Sequence, residues 1–196
     1  MTKVVGIVGP QNSGKDLIAN VFTQRGFLRM AFADPLKDAV HRIFRIPVEV
    51  LWGDSSKRDT RTRKILQELG TDFARKFDSE VWVNRILERI ERIEKGEADY
   101  LELLDTSNIG ETVKIVIPDV RFPNEAQALV KQFDAKLIRV WRPGAGDSKD
   151  PETRRHKSET SVNEIPKKLF TYTFLNNGTR EEALQRAEEL VELIDD

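Results

Sequence analysis

The sequence predicts a three-layer α/β fold built on a five-stranded parallel sheet, and two observations carry that prediction. Five short, apolar, β-branched runs alternate with segments whose apolar residues recur at helical spacing, as expected for strands buried on both faces between helices. The first strand, a glycine-bearing loop, the first helix and the second strand also follow one another directly, which is how a βαβ unit opens. With 196 residues the chain is long enough for one such domain or for a domain with a smaller subdomain.

The first strand is KVVGIVG (3–9). From Gly14 to about Gln24, Leu17, Ile18, Val21 and Phe22 recur on one helical face, and Gly26 supplies a stop. FLRMAFA (27–33) is the second strand. Residues 34–95 read as mainly helical. DPLKDAVHRIF has Pro35 in its first turn, with Leu36, Val40 and Phe44 on one stripe. In TRKILQELGTDFARKF (62–77), Leu66, Leu69, Phe73 and Phe77 share one face while Gln67, Thr71 and Arg75 line another. VWVNRILERIERI (81–93) is a second amphipathic helix, and 96–112 reads as an excursion or loop. Strand character returns in TVKIVIPDV (112–120), followed by a helix from about Asn124 to Gln132 and the strand AKLIRVW (135–141). RPGAGDSKDPETRRHKSETS (142–161) has little apolar content and is expected to be a mobile flap. FTYTFL (170–175) is the last strand, before a helix with Ala183, Leu184, Ala187, Leu190, Val191 and Ile194 on one face.

A formal net charge of −1 argues against an electrostatic nucleic-acid binder, which needs a positive surplus to displace counterions. The absence of cysteine excludes disulfides, thiolate metal sites and a cysteine nucleophile. With only His41 and His156, a histidine-rich zinc centre is not expected. No apolar run approaches the ~20 residues that cross a bilayer. MTKVVGIVGP enters a strand pattern directly and lacks the layout of a signal peptide. The expectation is a soluble, cytoplasmic protein with neither membrane nor nucleic-acid partner.

The chemistry is concentrated in GPQNSGKD (9–16), at the end of the first strand and the start of the first helix. There, backbone N–H groups can curl around nucleotide phosphates, with Gly9 and Gly14 supplying a tight backbone and Lys15 a charge for the β- and γ-phosphates. The usual G-x-x-x-x-G-K-[ST] motif ends in a hydroxyl residue for magnesium. Here that residue is Asp16, a carboxylate able to meet magnesium directly or through water, or simply to favour the helix N-terminus. Asp119 ends the strand IVIPDV, where ligands collect in open α/β sheets, as a second magnesium candidate or an ordinary turn residue. Arg121 could reach the same crevice. KRDTRTRK (57–64), the Gln67/Thr71/Arg75 stripe, and Arg139, Arg142, Arg154 and Arg155 are either solvated faces or clamps for phosphorylated substrates.

These residues resemble a known group. GPQNSGKD, FADPLK (32–37), LQELGTDFARKF with the tryptophan after it (66–82), PDVRFPNEA (118–126), HKSE (156–159) and NNGT (176–179) stand in the order found in bacteriophage-type deoxynucleoside monophosphate kinases, within the P-loop nucleoside-monophosphate-kinase-like group. In this group Asp after the P-loop Lys is a recurring variant. The resemblance implies a P-loop NTPase fold with a core of 1–33, 112–142 and 168–196, an acceptor-binding helical segment 34–95 and a lid 143–161. It implies ATP-dependent phosphorylation of a deoxynucleoside monophosphate, with ATP and Mg²⁺ as cofactors, in the cytoplasm of a host if phage-encoded. Gly9, Gln11, Asn12, Ser13, Gly14, Lys15 and Asp16 would hold ATP phosphates, and Asn177 and Gly178 would approach adenine. Asp34, Lys37, Gln67, Thr71, Arg75, Trp82, Arg121, Glu125 and Glu159 would line the acceptor site, Trp82 either on a base or as helix core. Lys15, Arg121 and Arg142 would neutralise the transferred phosphoryl, and Asp16 and Asp119 would serve the metal. Partners would be small nucleotides, and the chain a monomer or homodimer.

Two rival readings follow from the same residues. One is a P-loop kinase of another acceptor, of dephospho-coenzyme-A or phosphomevalonate type, with Asp34 as base toward a hydroxyl. The other is a nucleotide-binding regulator without transfer activity. A small GTPase is disfavoured, since no N-K-x-D motif is present.

Overall fold

The computed structural model describes residues 2–99, 101–104, 106, 112–146 and 156–195, with the side chains of Ser56, Ser158 and Glu159 excepted. The chain divides into two compact units, Met1–Ala31 with Ser107–Asp196, and Phe32–Thr106.

The first unit holds the sheet. Its strands are β1 (Thr2–Val8), β2 (Leu28–Arg29), β3 (Val113–Val120), β4 (Lys136–Trp141) and β5 (Tyr172–Leu175), in the order β2-β3-β1-β4-β5. Every pairing is parallel. Val4, Val5, Ile7 and Val8 of β1 are all buried, as the near-continuous apolar run requires of a strand covered on both faces. Helix α1 (Lys15–Gln24) packs Ile18, Val21 and Phe22 into the core. Its end is a Schellman closure: Gly26 N–H donates to the Thr23 carbonyl and Phe27 N–H to that of Phe22. The Phe22 and Phe27 rings meet edge-on at 4.9 Å, the apolar contact that accompanies such a cap. The last helix, α9 (Arg180–Asp195), buries Ala183, Ala187, Val191 and Ile194 in the same core.

Two expectations here need correction. The strand foreseen at 27–33 pairs only over Leu28–Arg29, because Asp34 and Pro35 already begin a helix of the second unit. The flap foreseen at 142–161 is helical and partly buried at its far end: α8 (Lys157–Thr160) leads into a 3₁₀ turn, Ser161–Glu164, with Ser161, Val162 and Ile165 buried. Apolar residues at 162 and 165 anchor that end. Residues 147–155 of the foreseen lid, with Arg154 and Arg155, lie outside the described residues.

The second unit is helical. It contains α2 (Asp34–Phe44), α3 (Val48–Trp52), α4 (Thr60–Gln67), a π-helical stretch (Glu68–Ala74), α5 (Arg75–Phe77) and α6 (Val81–Glu94). Helix α7 (Pro123–Phe133) belongs to the first unit, between β3 and β4. Leu36, Val40 and Leu51 form the heart of the helical unit, with Ile46, Trp52, Ile65, Leu66, Leu69 and Trp82 against them. Phe44, expected on the same stripe, is 44% exposed at the end of α2. The π stretch also breaks the 62–77 pattern. A π turn takes more residues than an α turn, so Leu66 and Leu69 stay on the core while Phe73 and Phe77 rotate outward to 59% and 76% exposure.

Candidate active site

β1 lies between β3 and β4, so the strands before β4 are added on one side of it and the later ones on the other, and ligands of open α/β sheets gather beyond the strand ends at such a switch point. Val8 pairs with Val120 and with Arg139, which brings the ends of β1, β3 and β4 level. The loop 9–14 leaves the sheet from the centre of that edge.

The loop forms a cradle. Asn12 and Gly14 adopt left-handed backbone angles, φ 63° and 99°. A Cβ on Gly14 would lie 2.3 Å from Asn176 Nδ2, and one on Gly9 would lie 2.7 Å from Ser13 Oγ and 2.8 Å from the Val140 carbonyl. Neither position admits a side chain. Asn176, buried after β5, donates from Nδ2 to the Ser13 carbonyl at 2.8 Å, and its own N–H reaches the Trp141 carbonyl at 2.8 Å. Ser13 is fully buried, and its hydroxyl is without a hydrogen-bond partner among the described residues. A buried hydroxyl inside a backbone curl can donate to the oxygen of an anion held there. Helix α1 starts here with no side-chain cap, so its first N–H groups face the same loop. Lys15 Nζ donates to the Pro10 carbonyl at 2.6 Å, bent over the loop.

Beside the cradle is a cavity of about 360 Å³, lined by Gly14, Leu17, Asn20, Arg142, Asn176, Gly178, Thr179, Arg180 and Ala183. The structure thus brings Gly14, Arg142 and Gly178 together; Asn177 is exposed and does not line the cavity. A capping box stiffens its wall: Thr179 N–H donates to Glu182 Oε2 at 2.8 Å, and Glu182 N–H to Thr179 Oγ1 at 3.2 Å. On its other flank Gly146 N–H donates to the Gln11 carbonyl at 2.9 Å, so the turn after Arg142 rests on the loop.

Asp16 is 77% exposed and forms an ion pair with Arg29, which also donates to Asn20 Oδ1 at 3.0 Å. Asp119 is half-buried at the end of β3. Among the described residues no group of three or more acidic or histidine side chains could hold a metal. Asp16 and Asp119 offer carboxylate oxygens, and magnesium usually takes one or two of these from protein and completes its shell with phosphate and water. Glu125 is 1% exposed, and its Oε2 accepts from the N–H groups of Arg121 (2.7 Å) and Phe122 (3.0 Å). It thereby fixes the backbone that carries Arg121 into α7.

In the helical unit, Asp34 is 5% exposed at the start of α2. Its Oδ1 accepts from Trp52 Nε1 at 3.0 Å and lies 3.6 Å from Lys37 Nζ, while Oδ2 accepts from Arg89 at 3.0 Å. Arg89 is fully buried and grips Asp99 bidentately at 2.8 and 2.7 Å. Asp99 also accepts backbone N–H groups of Leu101, Leu103 and Leu104. Burial pushes the Asp99 carboxyl up, but the Arg89 hydrogen bonds and charge outweigh it and hold the group below its ordinary value. Burial likewise opposes the charge on Arg89, and Asp99 with Asp34 more than restores it, raising its pKa.

The remaining expected residues are partly engaged in structure. Gln67, Thr71 and Arg75 are half-buried, and Arg75 reaches the Ser79 carbonyl at 3.3 Å. Trp82 donates to the Gly70 carbonyl at 2.9 Å and packs on the helical core, holding the π stretch. The side chain of Glu159 lies outside the described residues. In KRDTRTRK, Arg58 donates to the Val50 and Leu51 carbonyls, and Arg63 to those of Arg58 and Ser55. Those two arginines close helix ends and loops. Sequence reasoning missed Asn176, Trp52, Arg89 and Asp99. Arg89 did leave a signal, since it occupies the α6 face of Ile86, Ile90 and Ile93, where a charge needs a buried partner.

No family model matches the chain. It is 30% identical over 188 residues to a protein of Acanthamoeba polyphaga mimivirus described as "Putative deoxynucleotide monophosphate kinase", covering 91% of each chain. Its fold is that of a dephospho-CoA kinase from Campylobacter jejuni, with a TM-score of 0.51 at 15% identity over 99% of this chain and 98% of that one. No helix among the described residues is long and apolar enough to cross a membrane. A phosphate cradle at the switch point of a parallel sheet, in a P-loop kinase fold, agrees with the viral relative, and the chain belongs to the deoxynucleotide monophosphate kinase family.

Proposed function

We propose that the protein transfers the γ-phosphoryl group of ATP to the phosphate of a deoxynucleoside monophosphate, forming the diphosphate and ADP. The observation that carries this reading is the cradle of Gly9, Gly14 and the orphaned Ser13 hydroxyl, joined to family membership over most of the chain. The P–O bond between the β- and γ-phosphates breaks as an oxygen of the acceptor phosphate bonds to the γ-phosphorus. Asp16 and Asp119 would hold magnesium, which would supply positive charge to offset that of the phosphates.

The chain's own residues position and neutralise. Backbone N–H groups of the loop and of the α1 N-terminus hold phosphate oxygens, and Lys15 leaves the Pro10 carbonyl for the transferred group. Arg142 acts from the cavity wall, and Arg121 from the end of β3. Asn20, Gly178, Thr179 and Arg180 surround the space beside the cradle, where the adenosine of ATP fits. Asp34, Lys37, Gln67, Thr71 and Arg75 in the helical unit are assigned to the monophosphate acceptor.

A phosphate acceptor arrives ionised and needs no base. Asp34 supports that reading over a hydroxyl acceptor, because both its oxygens already accept hydrogen bonds, from Trp52 and Arg89. Its role is to organise cations. The test is a panel of dAMP, dGMP, dCMP, dTMP and hydroxyl acceptors assayed for ADP release from ATP and magnesium. Acceptor-dependent ADP from at least one deoxynucleoside monophosphate is expected; release only with hydroxyl acceptors, or with none, overturns the proposal.

A further inference from the structure

Within the helical unit, four ionised groups meet in a largely buried cluster: Lys37, Asp34, Arg89 and Asp99. Two cations and two carboxylates cancel formally. The connections are unequal. Arg89 holds Asp99 through two short bonds and Asp34 through one of 3.0 Å, whereas Lys37 Nζ stands 3.6 Å from Asp34. That last distance exceeds the about 2.7–2.9 Å of a charge-assisted hydrogen bond. Lys37 is also held from a second side, 5.5 Å over the Trp52 ring, and Trp52 donates to the same Asp34.

Arg89 is completely buried and so cannot meet a substrate itself. Its fork nonetheless determines how much of the Asp34 charge is left for Lys37. With Arg89 in place, Asp34 is shared between two cations, and Lys37 keeps its capacity to attract another anion. Without the Arg89 fork, which spans both carboxylates, Asp34 would lose that partner, and Lys37 would be drawn into closing the gap to it. Asp99, wrapped by the N–H groups of Leu101, Leu103 and Leu104, is the fixed anchor of the chain of contacts.

We propose that Arg89, anchored on Asp99, is a positioning residue that acts through Asp34 to present Lys37 to the phosphate of the acceptor nucleotide. The inference rests on the deoxynucleoside monophosphate kinase reading given above. It makes Arg89, although completely buried, a determinant of acceptor affinity.

The test is a double-mutant cycle on the whole chain with Arg89→Lys and Lys37→Met, each checked by thermal melting. Arg89→Lys preserves the charge and loses the fork. It is expected to raise KM for the accepted monophosphate about tenfold while KM for ATP stays within about twofold. In the Lys37→Met background, Arg89→Lys should add no further rise, since both act on one contact. A merely structural role would move both KM values, or neither, and would add independently to Lys37→Met; either result overturns the proposal. Wild-type inactivity with every monophosphate overturns the functional reading and this inference with it. Wild-type activity without the split overturns this inference alone.

Discussion

Asn176 donates its side-chain N–H to the Ser13 carbonyl at 2.8 Å, tying the end of β5 to the apex of the phosphate loop across 163 residues of chain. The same Nδ2 occupies the space a Cβ on Gly14 would need. Loop, glycine and asparagine are therefore one steric unit, and the loop's curvature depends on a residue distant in sequence. Asn176→Ala is expected to cost about 1 kcal/mol of stability, for one buried hydrogen bond, and to raise KM for ATP about tenfold. Chemical denaturation and steady-state kinetics check the two effects separately.

Ser13 gives the opposite balance. Its buried hydroxyl has no hydrogen-bond partner among the described residues, and burying a polar group unpaired costs about 1–3 kcal/mol that an alanine would remove. Ser13→Ala should melt at or above the wild-type temperature without nucleotide, yet gain less thermal protection when ATP is added. Equal protection in both proteins would mean that the hydroxyl takes no part in phosphate binding.

Asp16 is exposed and paired only at the surface with Arg29, so replacing it should leave the fold as stable as before. Asp16→Ala is expected to raise the magnesium concentration for half-maximal activity about tenfold, with maximal rate partly recovered at saturating metal. Asp16→Ser, which restores the common P-loop hydroxyl, should retain more activity than the alanine variant. A magnesium titration of the three proteins at fixed ATP provides the comparison.

Asp99 and Asp195 link stability to acid pH. The Asp99 carboxyl is held low by Arg89 against the pull of burial, and that of Asp195 by Lys114 and Lys3, also against burial. A depressed carboxylate contributes its full stabilisation above the unfolded value of about 3.9 and loses it as pH falls through the lower folded value. Stability should therefore decline below about pH 4 as these two groups take up protons. Asp99→Asn should be destabilised by about 3–5 kcal/mol at neutral pH, since it leaves Arg89 short of a partner, and should show a shallower acid decline. Urea midpoints between neutral pH and pH 3 test both statements.

The strands and helices of the sheet unit were legible because burial on both faces writes itself into the chain. Val4, Val5, Ile7 and Val8 in β1, and Ile18, Val21 and Phe22 in α1, can satisfy their apolar surfaces in few other ways. The helical unit was less legible. Glu68–Ala74 follows an α-helical pattern in sequence but takes a π form, with the Gly70 carbonyl bound by Trp82 and the Gly70 Cα against Leu36. Periodicity alone does not register such a contact. The arginine runs were ambiguous for a related reason: whether Arg58 serves a phosphate or the carbonyls of Val50 and Leu51 depends on what folds beside it.

By itself, the sequence determined the α/β class, the phosphate loop at the end of the first strand and the family motifs, since each is written in neighbouring residues. Tertiary structure alone decided that Asn176 grips the loop, that Glu125 fixes the backbone of Arg121, and that Arg89 links Asp34 to Asp99. The physical reason is common to all three. A buried polar group must find a partner, and which partner it finds is set by the packing of elements far apart in the chain, where hydrogen bonds are short-ranged and the pattern of one segment carries no record of another.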